Sequence, residues 1–368
     1  MSASKVYFTD MSTSMKESLP DKLGRLIDAA GIGDIDFKDK FVAIKIHFGE
    51  RGNLAYLRHN YARMLVDKIK KLGGKPFLTD SNTLYVGSRT NSLDHLDCAR
   101  DNGYCYSTLG CNVIIADGLK GNDEILVPLN GECVKEAKIG AAIMDADIVI
   151  SLTHFKCHES AGIGGALKNL GMGSGSHAGK MEMHYSGKPR VKTEMCVGCG
   201  RCAKSCGQNA IELENGKARI TERCAGCGRC IGQCALHAIV PTDGTSTDQL
   251  NKRMAEYTLA VVQGRPNFHI SLVVDVSPYC DCYSVNDLPI IPDVGMFASF
   301  DPVAIDKACA DTVNLQRPLS GSMLDRASRE DCDDCFHAIA PGSNWLGCLQ
   351  HAEKLGVGTL DYELVTIK

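Results

Sequence analysis

DIVISLTHF, residues 147–155, is a short run rich in β-branched residues that closes on a histidine and a phenylalanine, and it has counterparts on both sides. Upstream stand KVYFT (5–9), FVAIKIHF (41–48), KPFLTD (75–80), CNVIIAD (111–117) and EILVPLN (124–130); downstream stand FHISLVVDV (268–276) and YELVTI (362–367). Such runs read as strands, because branched side chains fit a pleated, half-buried surface. Amphipathic stretches near 15–30, 57–72, 134–144, 248–263, 302–313 and 345–355 read as helices. Strand and helix alternating at these spacings predict an α/β fold with a mainly parallel, doubly wound sheet.

The polar motifs gather where the runs end. His47, Gly49 and Glu50 close the second run, and Asp80, Ser81 and Asn82 close the third. His154, Lys156 and His158 close DIVISLT, and Cys280 and Cys282 follow LVVDVSPY. Ligands of an open parallel sheet bind in the crevice beyond the carboxyl ends of its strands, so four strands aim polar groups at one edge. Arg58, Asn82, Tyr85, Arg89 and His95 gain weight only by sharing that crevice; singly they read as caps or surface residues.

Residues 154–180, HFKCHESAGIGGALKNLGMGSGSHAGK, combine histidines, lysines and many glycines with almost no apolar period, and read as a loop. Glycine-rich backbone lets N–H groups close on an anion, and lysines add positive charge. Gly164, Gly165, Asn169, Gly171 and Gly173 are the expected cradle for a cofactor or anion, with Lys156, Lys168 and Lys180 as cations and His154, His158 and His47 as acid-base groups. The plainer reading is a long loop packing one domain on another. The spacing of a Walker phosphate loop is missing. His154 and His158, four apart, would share a metal if helical; otherwise they are hydrogen-bonded histidines. Cys157 reads as a ligand, a nucleophile or a bystander thiol. Cys280 and Cys282 read as ligands of a third metal site, as a redox thiol pair, or as two cysteines in a tight turn. Cys332 and Cys335 have thioredoxin-like spacing, but no strand precedes them, and they read as structural.

Between these halves, CVGCGRCAKSC (196–206) and CAGCGRCIGQC (224–234) repeat the pattern C-x2-C-x2-C-x3-C. This is the spacing of a bacterial two-cluster ferredoxin, in which the fourth cysteine of each run serves the other cluster. Cys196, Cys199, Cys202 and Cys234 are thus assigned to one 4Fe-4S cubane, and Cys224, Cys227, Cys230 and Cys206 to the second. Two four-cysteine zinc sites are the alternative, although zinc motifs pair cysteines two by two across longer gaps. Gly207 and Ala235 stand where proline is usual, which loosens the turn and removes no ligand. SGKPR (186–190) and VPTDGT (240–245) read as linkers, giving an α/β domain over 1–187 and 243–368 interrupted by a small ferredoxin-like insert over 188–242.

The 368 residues suit two to three domains. A net charge of −4 gives no basic field, so nucleic acid is not an expected partner. Neither a signal peptide nor a membrane span is read. Nineteen cysteines, eight of them in the repeat, suit a reducing cytoplasm.

KIHFGE (45–50), LTDSNTLY (78–85), RTNSLDHL (89–96), IIADG (114–118), SLTHFK-x-H (151–158), GGALKNLGMG (164–173), the cysteine repeat, YCDC (279–282) and FASFDPVAID (297–306), in this order, resemble the iron-sulfur branch of domain-of-unknown-function family 362. The likeness runs to LGVGTLDYELV (355–365), and departs at Cys157, where glycine is expected, and at His59, where proline is expected. The resemblance implies an α/β protein with two 4Fe-4S clusters and no settled activity. The expected function is an oxidoreductase passing electrons through the clusters to an anionic substrate or a third redox centre, metal or cofactor, in the crevice. The alternatives are an electron carrier docking to a redox partner protein and a metal or cluster carrier.

Overall fold

The computed structural model describes residues 3–85, 87–184, 189–206, 209–224, 230, 233–234, 236, 238–240, 247–327 and 333–368. Cys227, Cys332 and the expected insert boundaries at 187/188 and 242/243 lie outside the described residues.

EILVPLN pairs apart, and the other seven of the eight β-branched runs, joined by Gly295–Ser299, form one eight-stranded sheet. Its strands are β1 (Ser4–Asp10), β2 (Phe41–Lys45), β3 (Lys75–Asp80), β4 (Val113–Ile115), β5 (Ile148–His154), β6 (Asn267–Val273), β7 (Gly295–Ser299) and β8 (Tyr362–Thr366), ordered β8-β1-β7-β6-β5-β2-β3-β4. All neighbours are parallel except at β7, which runs antiparallel to both β1 and β6. The fold is therefore mixed α/β with a large, mainly parallel central sheet.

Period-two alternation divides each strand between two cores. Ile148, Ile150 and Leu152 of β5 and Val42 and Ile44 of β2 join one cluster, with the helices α1 (Leu19–Ala29) and α2 (His59–Lys71). Val149 and Ala43 join the other. That second face is covered by α4 (Ala166–Ser174), α6 (Thr247–Val262), α7 (Pro302–Asn314) and α8 (Trp345–Lys354), while α3 (Ser92–Asp101) adds Ala99 to the first core, and α5 (His177–His184) follows α4. With both faces covered, a central strand is buried throughout, as β5 is, Ser151, Thr153 and His154 included.

Two expectations are corrected, and one strand is new. Residues 154–180 are not a loop: they form the hairpin Lys156–His158 with Gly162–Gly164, and then α4 and α5. The stretch near 134–144 is not one helix; Glu136–Gly140 pairs antiparallel with Glu124–Pro128, and only Ala141–Met144 is helical. β7 was not anticipated.

The segment bearing the cysteine repeat has its own small core, with Cys196, Cys202, Ile211, Ala218, Cys230, Ala238 and Ile239. Two antiparallel pairs frame it, Arg190–Val191 with Ile239–Val240 and Ile211–Glu214 with Lys217–Ile220. No helix among the described residues is long and apolar enough to cross a membrane.

Candidate functional site

The carboxyl ends of β2, β3 and β5, with the loop after β6 and the start of α4, enclose a crevice of about 770 Å³. His47, His154, Lys156, His158, Lys168, Lys180, Gly164, Gly165, Asn169, Gly173 and Cys282 all line it. Gly171 lies elsewhere: a Cβ there would meet the Met254 carbonyl oxygen at 2.2 Å, so this glycine lets α4 approach α6.

Two buried carboxylates organise the walls. Asp80, at the end of β3, accepts from Lys45 Nζ at 2.8 Å, with Arg89 Nη1 at 3.6 Å and His95 Nε2 at 3.8 Å. Burial pushes the Asp80 carboxyl up, but the surrounding positive charge, Lys45 foremost, holds it below the usual carboxylate range. Arg89 also reaches Glu50 at 3.2 Å and donates to the Tyr85 hydroxyl at 2.7 Å. Asp281 accepts from Lys156 Nζ and His154 Nδ1, each at 2.9 Å. His154 Nε2 faces the Val274 carbonyl at 2.8 Å, so both ring nitrogens meet acceptors and both must donate. His154 is thus an anchor with no free nitrogen for a substrate. Nor do His154 and His158 share a helix; they lie on β5 and on the short strand after it.

His158 belongs with the cysteines instead. One ligand atom from each of His158, Cys280 and Cys282 lies within 4.8 Å of the others, and Lys168 Nζ donates to Cys280 Sγ at 3.4 Å. A hydrogen bond from Cys282, with the Lys168 charge and His158 adding to it, holds the Cys280 thiol well below its ordinary value against burial; the same bond pushes Cys282 up. Cys157 is buried, and burial raises its thiol. On the β3 side, Lys180 donates to the carbonyls of Gly173 and Gly175, and burial lowers it to about 8. Nearby Asp117, which holds the Asn82 amide, is raised to about 7 by burial. Lys45, Asp117 and Asp281 carry much of this electrostatic frame and had no assigned role; a lysine inside FVAIKIHF and an aspartate between two cysteines were the available signals.

The second cavity, about 220 Å³, is lined by Cys196, Cys199, Cys202 and Cys234 together. These come from both copies of the repeat. Backbone N–H groups of Ala218 and Ala238 donate to the sulfurs of Cys196 and Cys234, each at 3.3 Å. Gly198 turns with φ +67°, and a Cβ there would meet the Gly216 carbonyl at 2.2 Å. Four soft donors with N–H groups aimed at their sulfurs fit an iron-sulfur cubane. Of the other set, Ala210 N–H donates to Cys206 Sγ at 3.3 Å.

A family model described as domain of unknown function (DUF362) matches residues 42–311. The chain belongs to the DUF362 family. No curated protein matches this DUF362 chain. Among solved structures it is similar to a protein from Thermotoga maritima, at 14% identity and TM-score 0.41 over 81% of this chain and 58% of that one. It is also similar to the lactate racemase apoprotein from Thermoanaerobacterium thermosaccharolyticum, at 12% identity and TM-score 0.40 over 74% and 51%. The DUF362 chain thus spans between half and three-fifths of the length of these two structures.

Proposed function

We propose that this DUF362 protein belongs to an iron-sulfur branch and is an oxidoreductase, in which two 4Fe-4S clusters in a ferredoxin-like insert relay electrons to an anionic substrate or third redox centre in the crevice. The observation that carries the proposal is Ile239, which walls both the four-thiol cavity and the crevice. Three consecutive residues span the distance: Ala238 bonds the Cys234 sulfur, Ile239 is shared, and Val240 lines the crevice.

Cys196, Cys199, Cys202 and Cys234 would hold one cubane, and Cys224, Cys227, Cys230 and Cys206 the other. A bound cubane supplies one-electron transfer, at a potential set by hydrogen bonds to sulfur and by exposure. The side chains of the crevice do the rest. Lys45, Lys156 and Lys168 are committed to Asp80, Asp281 and the Cys280 sulfur, whereas Lys180 bonds to carbonyls, leaving its charge for an anion. His47 Nδ1 accepts the Gly49 N–H, so its neutral ring carries the proton on Nε2 and offers a hydrogen bond, not a proton, to a bound anion.

Anaerobic purification should yield about eight irons and eight sulfides per chain, with paramagnetic signals on reduction. Zinc in place of iron would overturn the reading. The reduced protein should pass electrons faster to an anionic dye than to a cationic one, and Lys180→Ala should remove that preference with iron content unchanged.

One observation favours the carrier reading. Val197 and Leu236 line the four-thiol cavity yet are 67% and 45% exposed, a small apolar rim on which a redox partner could seat. Electron transfer to a partner protein that survives Lys180→Ala, and is lost in Val197→Glu, would select the carrier.

A further inference from the structure

The relay leaves His158, Cys280 and Cys282 without a defined task. We propose that these three side chains bind a thiophilic divalent transition-metal ion, of the zinc or cobalt kind, with its open position turned to the crevice. This goes beyond electron relay, because occupancy of the site does not require the clusters.

The donors suit such an ion. Two thiols and an imidazole are soft to borderline ligands, which select first-row transition metals over magnesium or calcium. Three protein ligands with a free fourth position is the pattern of catalytic rather than structural zinc. Cys280 is fully buried, whereas His158 and Cys282 line the crevice, so the uncovered side faces the space where a substrate would enter.

The scaffold holds the donors in place before any ion arrives. Asp281, between the two cysteines, is pinned by His154 and Lys156, which precede His158 by four and two residues. Beyond them, the Tyr283 hydroxyl donates to Glu159 at 3.1 Å, and the Cys157 N–H donates to the Ser277 carbonyl at 3.1 Å. The loop after β6 and the strand after β5 are therefore laced together on both sides of the donor set. His158 Nδ1 accepts the N–H groups of Ser160 and Ala161, which fixes the ring and leaves Nε2 as its ligand atom. The neutral ring has one proton, so when an ion takes Nε2 that proton moves to Nδ1 and the bonds from Ser160 and Ala161 open. Lys168 supplies an outer contact to the Cys280 sulfur. A dication with two thiolates is neutral, so the ammonium beside it keeps the crevice attractive to an anion.

The rival arrangement is a metal-free thiolate, with His158 Nε2–H and Lys168 as donors to Cys280. Full-length protein with its clusters, dialysed against a limiting concentration of zinc or cobalt, separates the two. X-ray absorption at the zinc or cobalt edge ignores iron and should show a single ion per chain in a shell of two sulfurs and at least one nitrogen. Cys282→Ser and His158→Gln, at positions on the crevice wall, should each lose more affinity than the roughly 10–100-fold that an outer-shell change costs, and Lys168→Met should fall within that range. Iron content should stay constant throughout. No retained ion, a four-sulfur shell, or equal retention by Cys282→Ser would overturn the site; a low iron count in protein that still binds zinc with two sulfurs would sink the relay alone.

Discussion

Asp281 has no accessible surface and holds two cationic side chains, so its charge decides whether the loop after β6 stays against β5. Burial pushes its carboxyl up, yet the charges of His154 and Lys156 keep it below the usual range. A carboxylate with a depressed folded value contributes stability above its unfolded value near 3.9 and loses it as pH falls through the folded one. Asp281→Asn strands a buried lysine and should cost about 3–5 kcal/mol at neutral pH. Urea unfolding would register this as a lowered midpoint with unchanged slope; a cost below about 1 kcal/mol would show that water already solvates Lys156. The sequence HFKCH announced a polar strand end, but not that His154 would spend both nitrogens on structure. Its partners stand 127 and 120 positions away, and one sequence carries no sign of which acceptor a histidine will meet.

The element least legible in the sequence is α4. Its glycines lower helix propensity and it shows no apolar period, so local signals favour a loop. Distant side chains make it a helix. Asp306 accepts the N–H groups of Ala166 and Leu167 at 2.6 and 2.9 Å, capping an N-terminus whose own cap residue, Gly165, has no side chain to offer. Thr258 on α6 bonds the Leu167 carbonyl at 2.9 Å. Helices in proteins owe more to packing than to propensity, and here packing prevails. The glycines follow the same logic. Gly165 leaves room for the Asp306 carboxylate and Gly171 for the Met254 carbonyl, so two residues expected at a ligand are also packing residues. Gly171→Ala should overpack the α4–α6 contact by about 1–3 kcal/mol and lower Tm, while zinc or anion binding to the folded protein changes little. An unchanged Tm together with weakened binding would return Gly171 to the ligand cradle. The segment near 134–144 erred in the opposite sense, because Ala137 and Ile139 face the core from a strand whose partner, Glu124–Pro128, was read separately.

For the whole molecule, strand-helix alternation was enough for a covered, mainly parallel sheet, because period two and period 3.6 are local properties. The antiparallel insertion of β7 was not legible, since nothing in GMFAS records its direction. The same double-sided burial has a consequence for pH. His95, His184 and His269 are held down to about 3 by burial, and His47 is also lowered well below its ordinary value, so all four are neutral in the fold. Unfolded, each takes up a proton near pH 6.5, so stability present above that value is lost as pH falls toward the folded ones. Asp117 and Asp306 act in the other direction: burial raises both to about 7, so between pH 7 and about 4 the folded chain holds protons that the unfolded chain releases. Burial raises Asp275 as well, but the four lowered histidines outnumber the raised carboxyls, so unfolding takes up protons and stability falls as pH drops from about 6 toward about 4. Below that range the depressed carboxylates Asp80 and Asp281 continue the loss. Urea midpoints followed by far-ultraviolet circular dichroism from pH 7 to 4 should fall steadily. His269 is the histidine to replace, since it sits inside β6, bonded to Ser151 and Asn267 and away from the crevice lining. In His269→Gln the slope should drop by about one proton, whatever the variant costs at pH 7. A wild-type stability that stays level across this range would mean that the histidines and the raised carboxyls cancel, and that burial on the two faces of the sheet is balanced rather than biased against acid.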